Sequence, residues 1–189
     1  DEAARLRLGI AAESKVIGFL GQIRGYKNVP HLVRTFRQLP DPGLRLLVAG
    51  RPDSPELADE IRTAAGEDAR VRCVLAHVPD DEIQLYLRAC NLVALPFTDV
   101  LNSGSALLAL AFGRRVLVPA LGALGELRDE VGEAWVRTYS GEVTAEELRG
   151  ALAWADGRPP GRCSALDALT WASVARRTLD AYAALGAPR

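Results

Sequence analysis

The segment KVIGFLGQIRGYKNVPHLVRTFRQL (residues 15–39) indicates the class of fold, because its hydrophobic period changes once along its length. The first run of this segment is almost continuously apolar, which is typical of a short strand buried on both faces of a sheet. Pro30 suits the first turn of a helix, and Leu32 and Phe36 then fall on one helical face. The segment therefore predicts a strand, a glycine-containing loop and an amphipathic helix in succession.

The same alternation of strand and helix patterns continues along the rest of the chain. Between the apolar runs, helix-capping side chains precede amphipathic segments at Ser54, at Asp80 and in a Thr144–Glu147 capping box. Strands that alternate with helices in this way favour a parallel sheet covered by helices on both faces. The further predicted strands are residues 44–50, 71–77, 91–97, 115–121 and 134–139.

We therefore predict one α/β domain over residues 1–189, a Rossmann-like three-layer structure with a parallel sheet of about six strands. Its closing helix is expected within residues 164–187, with Trp171, Tyr182 and Leu185 on one stripe. The sequence contains no methionine, so we expect the chain to be a piece of a longer protein.

The composition narrows the functional classes. The net charge is −1, from 23 Lys+Arg and 24 Asp+Glu, which argues against a nucleic-acid partner. No apolar run approaches the roughly 20 residues that span a bilayer, and no segment resembles a signal peptide. Three widely spaced cysteines (Cys73, Cys90 and Cys163) and two histidines favour free thiols in a reducing compartment over a disulfide or metal framework. We expect a cytoplasmic protein without a cofactor or metal.

Ligands of such sheets bind at the carboxyl ends of the strands, and the first loop there carries two cations. Gly21 lets a ligand approach the backbone, and Arg24 and Lys27 can together neutralise a phosphate or diphosphate. A solvated basic loop is the alternative interpretation. The loops in which we expect the site are residues 21–28, 50–54, 77–81 and 98–105.

The last of these loops predicts an anion site at a helix N-terminus. Asn102, Ser103, Gly104 and Ser105 precede an apolar helix, so free amides and the helix dipole would face outward with few side chains in the way. Simple N-capping by Asn102 or Ser103 is the alternative, and both can hold. His77, at the end of a predicted strand, would either contact the ligand or be hydrogen-bonded within its loop. The sequence lacks the dinucleotide fingerprint, the P-loop and the esterase elbow.

Two segments resemble a known family. IGFLGQIRGYKNVPHLVRTF (residues 17–36) resembles the glycine-to-lysine segment of the C-terminal, donor-binding domain of GT-B glycosyltransferases of the family 4, or group 1, type. VPDDEIQLYLRACNLVALPFTDVLNSGSALLALAFGRRVLVPALGALGEL (residues 78–127) resembles the donor-site core of that domain. The resemblance implies transfer of a sugar from a UDP- or GDP-sugar to an acceptor supplied through an N-terminal domain that this chain lacks. It also implies that any peripheral membrane association is made by that missing half.

The resemblance also assigns roles to individual residues. Lys27 matches the family's phosphate-binding lysine, whereas Gln22 stands where the family has an arginine and leaves the diphosphate to Arg24. These cations and the amides of the Ser103–Ser105 segment would stabilise the nucleoside diphosphate as it leaves. Glu126 matches an acidic residue of the next loop.

The two glutamates of the family signature fall on Val100 and Leu108, which cannot accept a hydrogen bond. Asp99 is the candidate substitute for the first and thus a candidate catalytic residue. Unless Asn102 or a loop residue reaches the ribose, the loss at Leu108 predicts less than about tenfold preference for ribose over 2′-deoxyribose. A nucleotide-sugar 2-epimerase of the same architecture and a non-catalytic, nucleotide-sugar-binding domain are the alternative functions.

Overall fold

The computed structural model describes residues 2–100, 102–157 and 161–186. Within these ranges six strands form one wholly parallel sheet in the order β3-β2-β1-β4-β5-β6, so the prediction of a parallel sheet of about six strands is confirmed. This is the doubly wound order, in which the chain reverses its direction across the sheet between β1 and β4. The strands are β1 Lys15–Leu20, β2 Leu44–Ala49, β3 Val71–Val74, β4 Leu92–Ala94, β5 Arg115–Pro119 and β6 Val136–Tyr139.

The helices cover both faces of the sheet and give the predicted three layers. Right-handed crossovers place α2 and α3 on one face, and the reversal after β3 places α4, α5 and α6 on the other. Contacts of α2 with α3 and α7, and of α1 with α4, agree with these two layers. The helices are α1 Glu2–Arg7, α2 Val29–Arg37, α3 Pro55–Ala65, α4 Ile83–Ala89, α5 Gly104–Ala111, α6 Ala123–Val131, α7 Ala145–Ala155 and α8 Trp171–Gly186.

The core lies around the central strands β1, β2, β4 and β5, whose residues are nearly all buried. Gly18 of β1 is required there, because a Cβ at this position would lie 2.2 Å from the Cys90 Sγ at the end of α4. The strand β3 lies at the edge and is only partly buried. All three cysteines are free thiols, and burial raises the pKa of Cys90 to about 12.

Two of the three helix N-caps that the sequence predicts are confirmed by the structure. The Ser54 Oγ accepts from the Leu57 amide at 3.2 Å, and the Thr144–Glu147 capping box is complete. The predicted cap at Asp80 is wrong. The amides of Glu82 and Ile83 bond instead to the Pro79 carbonyl, at 2.9 and 3.1 Å, so α4 begins later and does not use the Asp80 side chain.

The C-terminal prediction needs a correction. Instead of one closing helix within residues 164–187, the structure has a 3₁₀ segment, Ser164–Leu169, followed by α8, while Ala187 lies outside the described residues. The apolar stripe of α8 does not join the core, since Trp171 is 90% exposed and Leu185 is 83% exposed.

Candidate functional site

The candidate site lies at the carboxyl edge of the sheet, beside the reversal between β1 and β4. Gly21 follows β1 and Gly50 follows β2, and a Cβ on Gly50 would lie only 1.9 Å from the Gly21 carbonyl oxygen. Both glycines also have positive φ angles, +136° and +152°. The close approach of the two loops therefore requires glycine at position 50, and the backbone conformation favours glycine at both positions.

Backbone hydrogen bonds continue this pairing beyond the strands. The Ile23 amide donates to the Arg51 carbonyl, and the Asp53 amide donates to the Ile23 carbonyl, each at 2.9 Å. A parallel bridge joins Ile23 and Pro52 between these bonds. The loops after β1 and β2 are thus held in a fixed register.

A 3₁₀ turn, Gly25–Lys27, carries the predicted phosphate-binding lysine. The turn is fixed by the loop after β4, because the Thr98 amide and hydroxyl both donate to the Tyr26 carbonyl, at 2.8 and 3.1 Å. The Lys27 ammonium lies 5.5 Å from the centre of the Phe97 ring. Partial burial, with the nearby Arg24 charge as the smaller cause, lowers the pKa of Lys27.

Lys27 and Ser105 converge on Gly21. An ideal Cβ built on Gly21 would lie 2.7 Å from the Ser105 Oγ and 3.6 Å from the Lys27 Nζ. The structure therefore brings together three of the predicted diphosphate-binding residues, which are separated by up to 84 positions in the chain. An ammonium, a hydroxyl and open backbone surround one point, an arrangement that suits a phosphate.

The N-terminus of α5 adds free donors at the same place. The Ser103 Oγ caps the helix by accepting from the Ala106 amide at 3.2 Å, whereas Asn102 is exposed and does not cap it. Among the described residues, the amides of Gly104 and Ser105 have no acceptor, as expected for the first turn of a helix. Capping and free amides therefore coexist here.

Arg24 is exposed, and its Nη2 donates to the Gln22 Oε1 at 3.0 Å. Gln22 stands where the family resemblance places an arginine, and it thus contacts Arg24, the cation that we expected to replace that arginine.

A cavity of about 600 Å³ extends from Gly21 to the loops after β2 and β3. Two predicted nucleotide-proximal residues, His77 and Leu108, line it. Three of the four loops selected from the sequence (residues 21–28, 50–54 and 77–81) contribute lining residues. Arg51 and Asp53 were not selected individually, since nothing in the local sequence distinguishes a lining side chain from a solvated one. The other lining residues are Leu20, Gln22, Gly50, Pro52, Val78, Asp80 and Ile83.

Among the described residues, eight predicted site residues do not line this cavity, namely Arg24, Lys27, Asp99, Asn102, Ser103, Gly104, Ser105 and Glu126. Asp99 and Glu126 are exposed, on the loop after β4 and in the first turn of α6, and neither lines the cavity. Val100 is half-buried and packs against the core. Within residues 2–100, 102–157 and 161–186, no group of three metal-ligating side chains occurs, and no helix has the length and apolarity needed to cross a bilayer.

The family model "Glycosyl transferases group 1" matches residues 14–153, which include every element of this site. The chain belongs to the group 1 glycosyltransferases. A GDP-mannose:glycolipid 4-beta-D-mannosyltransferase of Xanthomonas campestris pv. campestris is 34% identical over 96% of this chain and 52% of its own length. A second protein of that name and organism is 36% identical over 86% of this chain and 46% of its own. The chain thus spans about half the length of these curated relatives.

Solved structures show the same fold. Sucrose-phosphate synthase of Thermosynechococcus elongatus matches with a TM-score of 0.72 and 22% identity, over 96% of this chain and 48% of that one. HepE of Anabaena, in complex with UDP, matches with a TM-score of 0.74 and 19% identity, over 97% of this chain and 52% of that one. The predicted Rossmann-like half of a GT-B glycosyltransferase is thereby confirmed as the fold of this group 1 chain. These comparisons add no support for the 2-epimerase alternative.

Proposed function

We propose that this chain is the donor-binding half of a glycosyltransferase and holds the diphosphate of a nucleotide sugar at Gly21. The convergence of Lys27, Ser105 and the open amides of α5 on that glycine is the observation that carries the proposal. Bond cleavage at the anomeric carbon leaves negative charge on the diphosphate. Donors that are already in position stabilise this charge without reorganising during the reaction.

The donor is a GDP-sugar in this proposal. Its support is the name of the two relatives that are 34% and 36% identical to the chain, both of which are GDP-mannose-dependent transferases. The acceptor binds to an N-terminal half, which also supplies any general base that activates it. The relatives are about twice as long as the part that this chain matches, which leaves room for such a half. The expected cytoplasmic location, and a membrane association through that other half, belong to the same proposal.

The mechanism requires this half to bind and to stabilise charge rather than to form covalent bonds. Arg24 and Lys27 offer different donors to the diphosphate, a planar fork and a point charge. The free Gly104 and Ser105 amides lie at the positive end of the α5 dipole, which favours an anion.

Calorimetric titration of the chain with GDP, UDP and ADP tests the proposal. We expect GDP to bind, and to bind more tightly than the other two. Affinity is expected to be modest because ligands at sites between domains draw contacts from both walls. Failure of all three nucleotides to bind at millimolar concentration would refute a donor site in this chain.

A further inference from the structure

The cavity beside the diphosphate position must also hold the ribose, whose hydroxyls need an acceptor. Leu108 lines this cavity at the position where the family resemblance puts a ribose-binding glutamate, and its side chain cannot accept a hydrogen bond. Another lining residue must therefore take that role, or the site recognises the ribose only by shape. We propose that Asp53 binds the ribose hydroxyls, an inference that rests on the proposed donor-binding function.

The order of the strands fixes the direction in which the nucleotide lies. The diphosphate position is over Gly21, at the end of β1, and the cavity extends from there past the loops after β2 and then β3. Neighbouring strands lie about 4.8 Å apart, so a nucleoside that enters this cavity from the diphosphate has its ribose over the loop after β2 and its base over the loop after β3.

Asp53 lies in the loop after β2, where the ribose is expected. Its amide donates to the Ile23 carbonyl at 2.9 Å, next to the Ile23–Pro52 bridge, which ties its backbone to the loop that carries Gly21. Ser54, the next residue, caps α3 and so fixes the backbone on the C-terminal side of Asp53. Within the described ranges, the Asp53 carboxylate has no hydrogen-bond or ion-pair partner, so both of its oxygens remain available to a ligand.

A carboxylate is a suitable acceptor for the two ribose hydroxyls. An ionised carboxylate accepts from two neighbouring hydroxyls at once, and such charge-assisted bonds are short and strong. In dinucleotide-binding domains of this topology, an acidic residue makes this contact with the ribose 2′-hydroxyl. Asp80, the other lining carboxylate, lies on the β3 loop, where the base is expected, and is therefore a matched control.

The experiment compares the affinities of GDP and 2′-deoxy-GDP for the wild-type chain, Asp53→Ala and Asp80→Ala, by calorimetry. The wild type should prefer GDP by about 10- to 150-fold, the range for a hydrogen bond to a charged group. Asp53→Ala should lower this preference to less than about threefold. Asp80→Ala should keep the wild-type preference, even if it lowers the affinity for both nucleotides. Partial unfolding of a variant does not change this ratio of affinities. A smaller folded fraction lowers the apparent affinity for GDP and for 2′-deoxy-GDP by the same factor.

Two results would overturn this inference while leaving the proposed function intact. One is a wild type that binds GDP but prefers it less than about threefold over its 2′-deoxy form. The other is an Asp53→Ala variant that keeps the full preference. If the wild type bound none of GDP, UDP and ADP, the donor-binding proposal itself would fail, and the inference with it.

Discussion

Replacing Lys27 with alanine tests whether the turn after β1 is a phosphate site or a solvated basic loop. Among the described residues, Lys27 has no carboxylate partner, and its half-buried ammonium is less screened by water than a surface lysine. We therefore expect the variant to lose about 1.5–3 kcal/mol of nucleoside diphosphate affinity, or about 10- to 150-fold. The contact with Phe97 contributes about 0.5–1 kcal/mol to the fold, so the melting temperature should change little.

The lowered pKa of Lys27 makes both the stability of the fold and the affinity for a diphosphate depend on pH. The pKa of Lys27 in the folded chain lies below its ordinary value of 10.5, so the unfolded chain binds more protons between these two pKa values. Stability therefore rises with pH through that window. A bound diphosphate stabilises the ammonium and raises its pKa again. Affinity for the diphosphate should therefore fall as pH rises through the lowered pKa of the free chain, and Lys27→Arg should remove this loss because arginine stays charged.

Calorimetry with GDP at several pH values measures both effects. Lys15 and Lys27 are the two lysines of the sequence, and Lys15 lies at the opposite edge of the sheet, paired with Asp156. Lys15→Ala is thus a matched control, and it should leave GDP affinity unchanged. If Lys27→Ala bound GDP as tightly as the wild type does, Lys27 would belong to a solvated basic loop, and the convergence on Gly21 would not be a phosphate site.

Three further predictions concern other positions. Arg24→Ala should weaken nucleoside diphosphate binding by about 1.5–3 kcal/mol and barely change guanosine binding, as calorimetry can show; equal losses for both ligands would contradict a phosphate role. Leu108→Glu should add at least about threefold to the preference for GDP over 2′-deoxy-GDP, since it places an acceptor in the cavity; an unchanged ratio would mean that residue 108 does not face the ribose. Gly18→Ala should destabilise the fold by about 1–3 kcal/mol in denaturant titrations, because its Cβ would lie 2.2 Å from the Cys90 Sγ. The control, Gly125→Ala, has open space around its Cβ within α6 and should be neutral or stabilising by about 0.5–1 kcal/mol; equal effects of the two substitutions would refute the packing argument.

Features that depend on a few neighbouring residues could be predicted from the sequence. The caps at Ser54 and Thr144 were predicted correctly because each side chain bonds to an amide three positions away. At Asp80 the same type of signal was misleading, since the Pro79 carbonyl satisfies the amides that the side chain would have capped. Competition between a backbone acceptor and a side chain depends on local geometry that the residue types do not specify.

The candidate site was predicted in part. Lys27 and Ser105 were selected from the sequence because cations and helix-start residues have a recognisable local chemistry. Asp53 was not selected, because its relation to the site depends on the bond from its amide to Ile23, a residue on another loop. Asp99 and Glu126 were selected through the family resemblance. Like Lys27 and Ser105 they do not line the cavity, and their roles stay predictions.

The sequence by itself determined the alternation of strands and helices, and hence the parallel sheet. A helix buried on one face carries a 3.6-residue apolar period, and a strand buried on both faces carries a short continuous apolar run. Only the tertiary structure decided which loops meet at the edge of the sheet. The order β3-β2-β1-β4 puts the loops after β1 and β2 in contact and brings Ser105 over Gly21. This neighbourhood arises from the packing of segments that are distant in the chain, and it leaves no period or spacing in the residues that take part.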